Sequence, residues 1–166
     1  MDVPRTDMVF ACDEVAIFWR YLHSSLDRLI AVNAGRTLSE RNWRPLAPAT
    51  NSVHVLAVHT IANARENILG TLCGQPIARD HEAEFASVAE ENDRLISSWP
   101  ERRRELEHAL STLSSSNLDV TYAHPRRGPV TGREVLIVVI RHAAEHLCQA
   151  DLTRDLVAAA HGRDSP

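Results

Sequence analysis

Glycine and proline, the residues that most readily end a helix, are scarce in this chain and fall in clusters, with 6 glycines and 8 prolines among 166 residues. Between the clusters lie four long windows in which apolar residues recur every three or four positions, with little strict alternation. That pattern predicts helices and little sheet. The first window, 12–33, carries Val15, Phe18, Leu22, Leu26, Leu29 and Val32 on one stripe and stops before Gly35, placed as a helix C-cap. The second starts at a polar cap, Asn51 or Ser52, and runs to about residue 72, ahead of Gly74 and Pro76. The third, about 90–113, contains Pro100, which requires either a kink at Trp99 or a fresh start capped by Ser98. The fourth begins at Thr131-Gly-Arg-Glu134, the pattern of a capping box, and ends near Gly162.

The connections are long. Residues 36–50 hold Pro45 and Pro48 and have room for one short turn of helix; 75–89 is polar, with room for a short helix. Residues 114–130 read as loop, with 118–122 the one plausible extended piece. Four helices, no internal repeat and a length suited to one domain over residues 1–166 give an all-α fold, a four-helix bundle with long connections.

Composition narrows the chemistry. All eighteen basic residues are arginine, so Schiff-base catalysis by lysine, covalent pyridoxal phosphate chemistry and a lysine-bearing P-loop are excluded. Neither a GxSxG serine elbow nor a GxGxxG dinucleotide loop occurs. The net charge of −4 and arginines scattered among acidic neighbours give no nucleic-acid face. No apolar run approaches a membrane span, and the first ten residues lack a signal-peptide pattern. Three widely spaced cysteines, Cys12, Cys73 and Cys148, suit reduced, mostly buried thiols. Together these features predict a soluble cytoplasmic protein acting on a small molecule.

What remains is histidine. His142-Ala-Ala-Glu-His146 places two imidazoles one turn apart on the last helix. They fall on the stripe Val135, Val139, His142, His146, Gln149 and Thr153, which points into a bundle. The second helix has its own inward stripe, Val55, His59, Ala62, Glu66 and Leu69. Three neutral imidazoles, His59, His142 and His146, can hold a divalent metal and leave coordination positions open, as catalytic sites do. Buried histidines held by ordinary hydrogen bonds are the bland alternative. Glu66 and Gln149 are the candidate catalytic groups: Glu66 to orient a ligand or take a proton, Gln149 to support a ligand or touch substrate. The rival for Glu66 is a salt bridge to an arginine, and for Gln149 an ordinary buried amide.

Two other motifs carry less weight. His142 to His146 also fits the HxxEH form of inverted zinc proteases, but only twenty residues follow it, and Glu145 faces away from the stripe. Glu105-Leu-Glu-His108 has the ExxH spacing of di-iron bundles without the second motif such a site needs, and His108 reads as exposed. His23, His54, His81, His124 and His161 read as surface, edge or loop residues.

In order and spacing, several segments resemble the DinB/YfiT-like family of metal-dependent four-helix bundles. They are Leu38-Ser-Glu-Arg-Asn-Trp-Arg-Pro45, Asn51-Ser-Val-His-Val-Leu-Ala-Val-His59 with Glu66-Asn67, Arg79-Asp-His-Glu-Ala-Glu-Phe85 and His142-Ala-Ala-Glu-His146-Leu-Cys-Gln-Ala-Asp151. The resemblance covers nearly the whole chain. It implies a zinc or nickel ion on His59, His142 and His146. It also implies a reaction class, since relatives include transferases and isomerases that use mycothiol or bacillithiol, the metal activating the low-molecular-weight thiol. Gln149 stands where some relatives carry a further histidine. A homodimer is implied as well. The function expected is a metal-dependent hydrolase or thiol transferase; a non-catalytic metal- or ligand-binding bundle is the alternative.

Overall fold

The computed structural model describes residues 8–160. His161 and the expected helix end near Gly162 lie outside them, as do residues 1–7. Four long helices make the bundle: α1 (Asp13–Asn33), α3 (Val53–Arg65), α5 (Trp99–Ser111) and α7 (Gly132–Ala160). Short elements fill the connections: α2 (Leu38–Asn42), α4 (His81–Ala86), α6 (Ser115–Asp119) and a hairpin of β1 (Thr121–His124) with β2 (Gly128–Thr131). The all-α expectation holds, and among the described residues no helix is long and apolar enough to cross a membrane.

Local chemistry sets the helix ends. Ser52 caps α3, its Oγ accepting from the Val55 amide at 3.2 Å. Thr131 and Glu134 cap α7 reciprocally: the Glu134 amide donates to Thr131 Oγ1 at 3.2 Å and the Thr131 amide to Glu134 Oε2 at 2.7 Å. Gly35 follows α1 at φ +71, the left-handed conformation that closes a helix.

α1 packs on α7, α3 and α5, while α3 packs on α7 and α4. The core they share is Trp19, Leu22, Leu26 and Leu29 of α1, Leu56 and Ile61 of α3, Leu106 and Leu110 of α5, and Leu136, Val139, Ala143 and Leu147 of α7. Trp19, not Phe18, is the large aromatic that α1 fully buries, and its indole N–H reaches the buried Glu107 carboxylate at 3.1 Å. Burying a Trp requires such a partner, which hydrophobic periodicity does not register.

Three expectations are corrected. The third window is not helical from near 90: the fresh start holds, the helix running from Trp99 after Ser98, which makes no side-chain cap bond, with Pro100 in the first turn, where the missing N–H costs nothing. Residues 114–130 are not simply loop. Leu118, expected in an extended piece, sits in α6 and is fully buried, and the two strands pair antiparallel from Thr121↔Thr131 to His124↔Gly128. The second helix leaves α-geometry after Arg65 and runs as a π-helical turn, Glu66–Leu72. Such turns insert an extra residue and often lie beside functional sites.

Candidate metal centre

α3 is covered by α1, α7, α2 and α4, so nearly all its residues from 52 to 61 are buried. His59 is among them, at 5% exposure. On α7 the buried face runs through Val135, Val139, Ala143, Leu147, Ala150 and Thr153. His142 and His146 each precede a member of that row, about 100° around the helix, and so sit half-buried on its flank. The expected stripe therefore splits: Val135, Val139 and Thr153 enter the core, the two histidines line its rim, and Gln149 is exposed.

From that rim the imidazoles converge. His142 Nε2 lies 3.1 Å from His59 Nε2 and 3.1 Å from His146 Nε2. The outer ring nitrogens of His59 and His146 are engaged, while His142 Nδ1 is buried without a partner among the described residues. His59 Nδ1–H donates to Glu84 Oε2 at 2.8 Å, and His146 Nδ1–H to Gln149 Oε1 at 2.9 Å. With those protons on Nδ1, both Nε2 atoms present lone pairs to His142 Nε2, which can answer only one with a proton. At least one contact is then lone pair against lone pair, an arrangement that a shared cation relieves. The spacing fits: nitrogens about 2.0–2.1 Å from a tetrahedral zinc stand roughly 3.3 Å apart.

Burial holds His59 down to about 4, with the Glu84 hydrogen bond opposing and the His146 and Arg79 charges reinforcing the shift. Burial likewise takes His142 to about 3, helped by the charges of His146, His59 and Arg79. Both rings are therefore neutral near pH 7, the state a ligand requires. Glu84 is 7% exposed. Burial pushes its carboxyl up, but hydrogen bonds from Arg79 and His59 outweigh this and hold it below the usual carboxylate range.

Glu84 and Arg79 are the supporting residues that sequence reasoning missed. Arg79 donates to Glu84 through Nε at 2.6 Å and Nη2 at 2.8 Å, and to Glu66 through Nη1 at 2.7 Å. Arg126 of the hairpin also pairs with Glu66. Glu66 thus meets arginines rather than an imidazole, the salt-bridge alternative for that residue, and acts on the centre only through Arg79 and Glu84. Gln149 is an orienting partner of His146, not a buried amide. The available signal was the cap at Asp80, whose Oδ1 accepts from the Ala83 amide at 2.9 Å: it starts a helix that carries Glu84 inward.

Three other histidines are buried rather than superficial. His54, the second residue of α3, lies under α2 and accepts from Arg41 Nη2 at 3.2 Å; α3 has no exposed side there to receive it. His23 Nδ1 bonds the Trp19 carbonyl one turn back at 2.9 Å. His124 closes the hairpin, its Nε2 meeting Asn67 Oδ1 of the π-turn at 3.1 Å and its Nδ1 accepting the Arg126 amide at 3.1 Å. His108 is exposed as expected. His81 is exposed but adjoins the centre, its ring 5.3 Å from that of His59, and His59, His81 and Glu84 form a second group close enough for an ion. In that group His59 would use the Nδ1 that Glu84 already engages. The cysteines are less buried than expected: Cys148 is exposed and the other two intermediate.

Comparison with known proteins agrees with this architecture. A conserved protein of Enterococcus faecalis, solved by crystallography, superposes with a TM-score of 0.71 over 87% of this chain and 96% of its own, at 22% identity, a likeness of fold alone. Among curated proteins none matches. The DinB superfamily model matches residues 20–150, which takes in most of the bundle and all three converging histidines. On that match over most of its length, the chain belongs to the DinB superfamily.

Proposed function

We propose that His59, His142 and His146 hold one divalent ion, zinc or nickel, and that the protein is an enzyme that uses it on a small electrophilic substrate, as a hydrolase or a thiol transferase. The observation that carries this reading is the convergence of His59 Nε2 and His146 Nε2 on His142 Nε2, each at 3.1 Å, with both outer imidazoles backed by hydrogen-bonded Nδ1 atoms. Bound there, the ion would supply Lewis acidity and lower the pKa of a coordinated water or low-molecular-weight thiol.

The chain's own residues do the rest. Glu84 keeps the His59 proton on Nδ1 and its lone pair on Nε2, and its negative charge makes the imidazole a stronger donor. Gln149 fixes His146 in the same tautomer with a neutral amide. Arg79 holds the Glu84 carboxylate in place and is itself almost fully buried, at 4% side-chain exposure, so it braces the centre rather than meeting substrate. Because His142 and His146 lie on the rim of the helix pair, one face of the centre opens to solvent, where a substrate can reach it.

The test is elemental analysis of protein purified without a histidine tag or added metal, wild type beside His59→Ala. About one equivalent of zinc or nickel, lost in the variant, supports the reading. No metal even after reconstitution overturns it, in favour of a non-catalytic bundle.

A further inference from the structure

One turn along α7 from His146, the groove between α3 and α7 deepens into a cavity of about 220 Å³. Leu56 of α3 and Leu152, Thr153 and Leu156 of α7 form its walls, and the connection through Pro45 and Ala49 closes one side. That connection is shaped against its preference. Ala49 stands at φ +59, the left-handed region that a residue with a Cβ seldom occupies. The Thr50 hydroxyl holds the turn, lying 2.7 Å from the Pro45 carbonyl and 2.9 Å from that of Ala47. Strain of this kind persists where surrounding structure over-determines it, and it marks sites of function more often than plain loops.

Among the described residues no charged side chain lines the cavity. Its one shared residue is Gln149, whose Oε1 accepts from His146 Nδ1. The Nε2 of the same amide has no protein partner among the described residues, which leaves it able to donate to a cavity occupant. A dry apolar cavity of about 150 Å³ takes benzene, so this one suits a substituted ring or a branched acyl chain and is too small for a docked helix. Leucine walls with uncharged polar neighbours, Thr50, Asn51 and Thr153, and no counter-charge disfavour an ion.

We infer that this cavity is the organic subsite of the metal centre, taking a neutral, compact apolar group whose carbonyl or ether oxygen accepts a hydrogen bond from Gln149. The word subsite rests on the metal reading proposed above; the cavity and the chemistry of its occupant do not. Through Gln149, an occupant would also bear on the orientation of His146.

The experiment is an amide-resolved NMR titration of the full chain with benzamide, with toluene, acetamide and benzoate as comparison probes. Expected are saturable shifts in residues 49–56 and 149–156 with benzamide and toluene, none with acetamide, and much weaker ones with benzoate. Gln149→Leu should weaken benzamide about five-fold while sparing toluene. Leu156→Trp, at a partly exposed rim position, should weaken both about tenfold with bound metal unchanged. Shifts absent, scattered elsewhere, or equal with acetamide overturn the inference, as does unchanged binding in Leu156→Trp. The two readings fail separately. His59→Ala should lose metal yet still bind benzamide; wild type that holds metal but ignores benzamide refutes the subsite alone.

Discussion

Replacing Glu84 with glutamine changes one atom's chemistry and tests whether the site is built as described. The carboxylate accepts three hydrogen bonds, from His59 Nδ1 at 2.8 Å and from Arg79 Nε at 2.6 Å and Nη2 at 2.8 Å. Both partners are donors only, and glutamine has one acceptor oxygen. Whichever way its amide turns, an N–H faces either Arg79 or His59, and one partner loses its acceptor in a buried site. If His59 loses it, the proton is free to move to Nε2 and block the ligand lone pair. Losing a supporting carboxylate typically costs ten- to a hundredfold in metal affinity, or about 1.4–2.8 kcal/mol. The assay is zinc competition against a chelator of known affinity, with circular dichroism to confirm that Glu84→Gln folds. Glu66→Gln, one step further from the imidazoles, should show a smaller effect. A Glu84→Gln dissociation constant within about twofold of wild type would refute the assigned role.

Other outcomes follow from the same geometry. A Cβ at Gly132 would fall far inside contact distance of the Asn117 carbonyl oxygen, so Gly132→Ala should cost about 1–3 kcal/mol in denaturant unfolding; an unchanged midpoint would mean that α6 and α7 do not meet this closely. His54→Ala removes a buried ring bonded to Arg41 and should destabilise by about 1–3 kcal/mol while metal stays stoichiometric; loss of metal would place His54 in the site. In metal-free protein, His59 and His142 titrate near 4 and 3 when folded and near 6.5 when unfolded, so the unfolded chain binds more protons between those limits. Their contribution to stability is therefore full above about pH 6.5 and lost as pH falls toward 4 and then 3. The melting temperature should drop across that window, less steeply in His142→Ala, and a drop of equal steepness in the variant would contradict it.

The parts of this structure that were legible in sequence are those written locally. Thr131 and Glu134 three residues apart specify a helix start by themselves, as does Ser52 ahead of an apolar run. Likewise His142 and His146, four apart on a helix, must lie on one side of it. Their flanking position was harder to read, because Ala143 and Leu147, each one residue on, compete for the same inward direction and win by apolarity. What stayed hidden depends on partners distant in sequence. His54 is buried because α2 covers it, His124 because a hairpin folds back onto the π-turn, and neither contact has a periodicity. Glu84 reads as one acid among several in a polar connection until α4 carries it beneath His59. The hairpin itself has only four residues per strand, too few for alternation to stand out from loop.

The most direct test of the central claim is anomalous diffraction at the zinc and nickel edges, on crystals of untagged protein grown without added metal. One strong peak is expected, bounded by His59 Nε2, His142 Nε2 and His146 Nε2 and about 2.0–2.1 Å from each. A peak beside His81 and Glu84 instead, or none among the three imidazoles in crystals soaked with either ion, would contradict it.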